Sequence, residues 1–187
     1  MIIVNYYSRS YGDTIASMIA NAPINKINGT LSDGTKSTLP QILKNPNAYK
    51  LIDVDFTIQT FFKTNKNKYV ALPAHRQHGF DYKRLEKNCT VISIVPDLAE
   101  KIAARVMHID TWKEEHPILS KLFDRLSTDE KIKYTAKTIV SWQEKNILSS
   151  DISILFSNLY KLKELDLPNY DESVIDDIYS DIERYAS

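Results

Sequence analysis

A chain of 187 residues with 43% apolar and 26% charged side chains has the make-up of a folded globular protein, long enough for one well-buried core and short for two. Its 24 basic and 24 acidic side chains cancel, which removes the sequence-wide electrostatic case for nucleic acid or an acidic membrane surface as partner. No apolar run approaches the roughly 20 residues of a membrane-spanning helix, the first residues lack the pattern of a secretory signal, and the single cysteine, Cys89, allows neither an intrachain disulfide nor a Cys-rich zinc site.

The chain opens with a β-rich apolar run, Ile2–Tyr7, followed by a polar turn, Ser8–Asp13, and a helical pattern from Thr14 to Asn21 that Pro23 stops. Residues Asn25 to Pro46 are rich in Gly, Ser, Thr, Asn and Pro and read as loop, with one short helix around Gln41–Leu43. Strands are expected near Leu51–Asp55 and Tyr69–Leu72. The segment NCTVISIVPDLAEKIAARVMHI then repeats the opening grammar, with a strand Thr90–Val95, a Pro96-Asp97 break and an amphipathic helix Leu98–Ile109. From Trp112 to Asn146 the pattern is helical, divided near Ser127, which forms a capping-box pattern with Glu130. A strand at Ile152–Phe156 precedes another helix, and an acidic amphipathic helix ends the chain. Strands alternating with helices predict an α/β fold: one domain, residues 1–187, with a mainly parallel sheet covered on both faces and a largely helical C-terminal half.

Two stretches carry the elements of an active site. A phosphate site needs backbone N–H groups and a helix N-terminus, usually with a cation. The Ser8–Thr14 segment offers Arg9 as the cation, Ser8, Ser10 and Thr14 as hydroxyl donors, and Gly12 for the turn. It is not the Walker pattern, because Asp13 stands where the lysine would be, and an Asp repels a phosphate about 4 Å away by about 1–4 kcal/mol for ε between 80 and 20. The plainer reading makes Asp13 a helix N-cap and Gly12 an ordinary turn residue. The second stretch, VALPAHRQHG, puts His75, Arg76 and His78 just past a strand end, where ligands of open parallel sheets sit. A neutral His75 there is placed to take a proton from a hydroxyl.

In order and spacing, the chain from Ile2 to Leu165 resembles the sulfotransferase-like P-loop family. That family's first loop, P-K/R-S-G-T-T, corresponds to Tyr7-Ser8-Arg9-Ser10 with Tyr11-Gly12-Asp13-Thr14. Its Thr-His pair corresponds to Ala74-His75, its Arg-x-Pro turn and helix to ISIVPDLAEKIAARV, and its late YEDL-type segment to ILFSNLYKL. The resemblance implies a three-layer α/β/α fold with 3′-phosphoadenosine 5′-phosphosulfate as donor, bound by Ser8, Arg9, Ser10, Gly12, Thr14 and Arg105. It also implies His75 and Arg9 as catalytic residues, a hydroxyl acceptor and no metal. Val95 occupies the region of the family's 3′-phosphate arginine, leaving Lys101 and Arg105 as the nearby cations.

Other readings compete. LIDVDFTI fits the DxDxT opening of Mg²⁺-dependent phosphotransferases, with Asp53 as nucleophile and Asp55 as acid/base, and Asp53-Val54-Asp55 also resembles the metal-binding DxD of glycosyltransferases. The missing lysine fits a degenerate P-loop module retained for binding or structure. Trp112, Tyr134 and Trp142 are placed either to stack on a ring or to pack helices. The abundance of Lys, Asn, Ile and Tyr suits an AT-rich genome, viral ones included. The expected setting is cytoplasmic, with Cys89 a small core residue.

Overall fold

The computed structural model describes residues 2–7, 9–21, 71–74, 89–108, 121, 123–146 and 150–185. Among the described residues, four strands form one parallel sheet: β1 (Ile2–Asn5), β2 (Ala71–Ala74), β3 (Thr90–Val95) and β4 (Ile152–Leu155), in the spatial order β2-β1-β3-β4. The helices are α1 (Gly12–Ala20), α2 (Ala99–His108), α3 (Thr128–Asn146) and α4 (Glu172–Arg184), with a 3-10 helix at Phe156–Leu165. That 3-10 stretch is interrupted near its start at Asn158, whose φ of −139° is not helical. Among the described residues, no helix is long and apolar enough to cross a membrane.

Strands β1 and β3 form where β-branched residues run together, whereas β2, with the sequence ALPA, has none. In β3 every residue but Thr90 is buried, and in β1 Ile3, Val4 and Asn5 are fully enclosed. Alternate side chains of a strand point to opposite faces, so unbroken burial means that both faces of these central strands are covered. The parallel sheet required this. Val4, Ile92, Ile94 and Ile154 join a core with Ile15 and Ile19 of α1, Ile102 and Val106 of α2, and Ile175, Ile178 and Ile182 of α4. The opposite set on β1 and β3 contains Ile3 and Val91 but also two buried polar side chains, Asn5 and Ser93.

Local signals set several boundaries. Ser127 and Glu130 make the reciprocal capping box at the start of α3: the Glu130 carboxylate accepts from the Ser127 N–H at 2.8 Å, and Ser127 Oγ accepts from the Glu130 N–H at 3.3 Å. Asp171 caps α4 by accepting from the Ser173 N–H at 3.0 Å. Helix α1 ends on Asn21 in the left-handed conformation, its N–H bonded to the carbonyl of Met18. Some boundaries differ from the sequence expectation. Strand β1 ends at Asn5 rather than Tyr7. Helix α1 starts at Gly12 rather than Thr14, and its N-cap is Tyr11, not Asp13, which lies in the first turn. Strand β2 runs to Ala74 rather than Leu72, and the expected start at Tyr69 lies outside the described residues. The expected strand at Leu51–Asp55 and short helix at Gln41–Leu43 lie outside the described residues.

Candidate functional site

The centre of the sheet is a topological switch point. From β1 the chain reaches β2 on one side and β3 on the other, and the usual ligand position in open α/β sheets lies at such a point, beyond the carboxyl ends of the strands. Two turns border it: Tyr6–Tyr11 after β1, and Pro96–Leu98 after β3.

The first turn is tight. Ser10 donates both its N–H, at 3.0 Å, and its hydroxyl, at 2.5 Å, to the carbonyl of Tyr7. Arg9 and Tyr11 take positive φ values of 72° and 60°, and for residues with a Cβ that conformation costs about 1–2 kcal/mol each. Left-handed Tyr11 is followed directly by helical Gly12, and such alternation turns successive N–H groups into a concavity suited to an anion.

Beneath the turn lies Tyr6, 1% exposed. A Cβ at Gly12 would stand 1.9 Å from two of its ring carbons, so Gly12 is glycine because the ring occupies that space. The Tyr6 hydroxyl continues to Asp13, donating to Oδ1 at 2.5 Å. Burial pushes the Asp13 carboxyl above the usual carboxylate range, opposed by the Tyr6 hydrogen bond and the positive charge of Arg9.

Two side chains from distant parts of the chain, Arg105 and Asp181, hold the turn from outside. The Arg105 guanidinium, on α2, donates through Nη1 to the carbonyl of Arg9 at 2.8 Å and through Nε to Asp181 of α4 at 3.2 Å, and it lies 4.0 Å from the centre of the Tyr11 ring. The Tyr11 hydroxyl donates to the same Asp181 oxygen. Burial, with the hydrogen bond to Asp181, raises the Tyr11 hydroxyl well above its ordinary range. Donation from Tyr11 and then from Arg105 holds Asp181 below the ordinary carboxylate range. These directions describe a neutral phenol and an ionised carboxylate.

The second turn is held by a simpler device. The Asp97 N–H bonds to the Val95 carbonyl at 2.9 Å, and the Asp97 carboxylate accepts from the Ser157 N–H at 2.9 Å and from the Ser157 hydroxyl. It thereby caps the 3-10 helix that follows β4. A cleft of about 790 Å³ opens between the start of α2 and one side of α3, with Leu98, Ala99, Ala136 and Val140 as apolar lining and Lys133 and Lys137 at its rim. On the sheet itself, Asn5 donates through Nδ2 to Ser93 Oγ at 2.9 Å, and the Ser93 hydroxyl meets that of Ser150. Asn5 Oδ1 finds no partner among the described residues.

The structure therefore brings Arg9, Ser10, Gly12, Thr14 and Arg105 to one end of the sheet. Ser8 and His75 lie outside the described residues, as do Arg76, His78, Asp53, Asp55 and Trp112. Ser10 spends its hydroxyl hydrogen on Tyr7, and Arg105 bonds the loop backbone and Asp181. Trp142 meets Tyr7 edge-on at 5.8 Å and Tyr134 meets Phe123 at 5.2 Å, which are packing contacts, and Cys89 is buried. Sequence reasoning missed Tyr6, Tyr11 and Asp181. Tyr6 alone left a local trace, as a large residue placed to meet a glycine across a short turn. Among the described residues, no group of three or more His, Cys, Asp or Glu side chains could hold a metal ion. No family model, no curated protein and no solved structure matches the chain.

Proposed function

We propose that the chain is a sulfotransferase-like P-loop domain of three-layer α/β/α form, which binds the phosphate or sulfate end of a nucleotide donor at the turn after β1. One observation carries this reading. At the switch point of a parallel sheet, the strand-to-helix turn holds two non-glycine residues, Arg9 and Tyr11, in left-handed conformations immediately before the N-terminus of α1. Backbone strain of this kind collects where a loop must present its N–H groups in one direction. Arg9 supplies positive charge, and Thr14, in the first turn of α1, supplies a hydroxyl. In the group-transfer step His75 takes the proton of an acceptor hydroxyl, the acceptor oxygen bonds to the sulfuryl sulfur, and the bond from sulfur to the donor phosphate breaks.

A second reading has its own support. Asp13 in the first helical turn and the pairing of Arg105 with Asp181 reduce the positive charge near the turn, which favours a P-loop module kept for binding or assembly without transfer. One experiment tests the nucleotide site on which the transferase reading rests. Thermal shifts are measured with adenosine 3′,5′-bisphosphate, with ATP with and without Mg²⁺, and with nucleotide sugars, for the native chain and for Arg9→Ala. A ligand of the native state alone raises the melting temperature by mass action. The transferase reading expects a shift with the bisphosphate that Arg9→Ala abolishes and chelator leaves intact. A shift only with Mg²⁺ would transfer the assignment to Asp53 and Asp55, and no shift with any nucleotide would leave the module without nucleotide.

A further inference from the structure

We infer that the C-terminal helix α4 is the positioning element of the β1–α1 turn, acting through Asp181 as a latch. The turn's shape is not explained by its own residues. Arg9 and Tyr11 both occupy a conformation that side chains disfavour, and the hydrogen bonds of Ser10 to Tyr7 close only the first part of the turn. The two strained residues are gripped from outside instead. The Arg9 carbonyl is held by Arg105, the Tyr11 ring is covered by the same guanidinium, and the Tyr11 hydroxyl is held by Asp181.

Asp181 completes both grips, because its Oδ2 accepts from Arg105 Nε and from the Tyr11 hydroxyl. The Arg105 side chain is 18% exposed and Asp181 31%, so the bonds lie at a partly covered edge of the molecule. The helix that carries Asp181 is docked independently by Ile175, Ile178 and Ile182 in the core, by Lys101 with Glu183, and by the Tyr179 hydroxyl, which donates to the Phe156 carbonyl at 2.8 Å. Helix α4 thus brings an ionised carboxylate, 170 residues away in sequence, to the turn at the mouth of the sheet. Without that carboxylate, Arg105 loses one of its two hydrogen-bond partners and Tyr11 its acceptor, and the left-handed pair is free to relax. The latch belongs to the turn whatever ligand the turn takes, so it stands or falls apart from the nucleotide assignment.

The test is residue-resolved amide hydrogen exchange on the full chain, comparing the native protein with Asp181→Ala, which removes the acceptor, and with Glu183→Gln. Glu183 pairs with Lys101 on the same two helices. The latch expects Asp181→Ala to speed exchange at residues 9–14 by tenfold or more, with protection in α4 unchanged, and expects Glu183→Gln to leave the turn as it was. Tyr11→Phe, which removes the hydroxyl and keeps the ring, reproduces the Asp181→Ala pattern in part and provides the measurement if Asp181→Ala does not fold. Unchanged exchange at the turn in Asp181→Ala, or in Tyr11→Phe where that substitutes for it, overturns the proposal. So does acceleration spread equally over α4, and so does an equal effect from Glu183→Gln, since either would make α4 a general packing element.

Discussion

The turns after β1 and β3 repeat one grammar on neighbouring strands: a buried β-branched strand, a short break and a helix. Their construction differs. After β3 the break is made by Pro96 with its fixed φ, and Asp97 uses its carboxylate on Ser157, a single contact at an exposed site. After β1 there is no proline. The chain instead reverses through two left-handed residues over a buried tyrosine ring, and α2 and α4 supply the hydrogen bonds that hold it there. The turn after β3 needs one long-range partner, Ser157, 60 residues away, beside the local effect of Pro96. A turn held in a disfavoured conformation depends on tertiary contacts, and the substitutions that damage it are expected to be of another kind and size.

The largest expected effect is at Gly12. Adding one methyl group puts a Cβ 1.9 Å from ring carbons of Tyr6, and that ring is 1% exposed and has no room to withdraw. Gly12→Ala should cost about 3 kcal/mol or more, at the upper end of overpacking penalties, as measured by urea denaturation. Combining it with Tyr6→Leu should recover part of the loss, because contacting sites are not additive. If the single and double changes are simply additive, the ring is not the obstacle.

Next comes Arg105. Replacing it with Met keeps much of the packing over Tyr11 but takes its donor from the Arg9 carbonyl and leaves Asp181 with only the longer ion pair to Arg184, at 3.9 Å, among the described residues. Since Asp181 is about one-third exposed, the ion pair is discounted for solvent, and the expected cost is about 1–2 kcal/mol. The corresponding change in the other turn, Asp97→Ala, removes exposed hydrogen bonds to Ser157 and should cost about 1 kcal/mol or less. A thermal denaturation series that ranks Asp97→Ala above Arg105→Met would reverse the contrast between the two turns.

What could be read from the sequence follows the same division. β1, β3 and β4 announce themselves as Ile- and Val-rich runs. The Ile175, Ile178 and Ile182 spacing marks the buried face of α4, and Ser127 with Glu130 marks the start of α3, because each is written within a few consecutive residues. The Arg9–Tyr11 backbone could not be read this way. Neither residue favours φ above zero, and the partners that impose it, Arg105 and Asp181, are 96 and 170 residues distant. The early start of α1 has the same origin: glycine is a poor helix former, and it opens α1 because the Tyr6 ring leaves no space for a side chain. Arg105 was legible as a cation near the loop, but not its attachment to the loop's backbone rather than to solvent.

The smallest expected effect has the opposite sign and bears most directly on function. Burial raises the Asp13 carboxyl above its value in the unfolded chain, so the native state holds this proton more tightly than the unfolded state does. Its ionised form therefore opposes folding. The penalty is complete above the native-state pKa and vanishes as pH falls below the unfolded one. Asp13→Asn keeps an acceptor for the Tyr6 hydroxyl and removes the charge, and it should stabilise the protein at neutral pH by about 1 kcal/mol or less, on the scale of one polar group's desolvation. The gain should shrink to nothing as a urea series is carried down through the carboxylate range. If the gain persisted unchanged into acid, it would not come from the Asp13 charge. The same substitution removes a negative charge from the first turn of α1, so a phosphate or sulfate held by the turn should bind the Asn variant more tightly than the native chain. Anion affinity that ignores the substitution places the ligand away from α1, and then the difference between the two turns concerns stability alone.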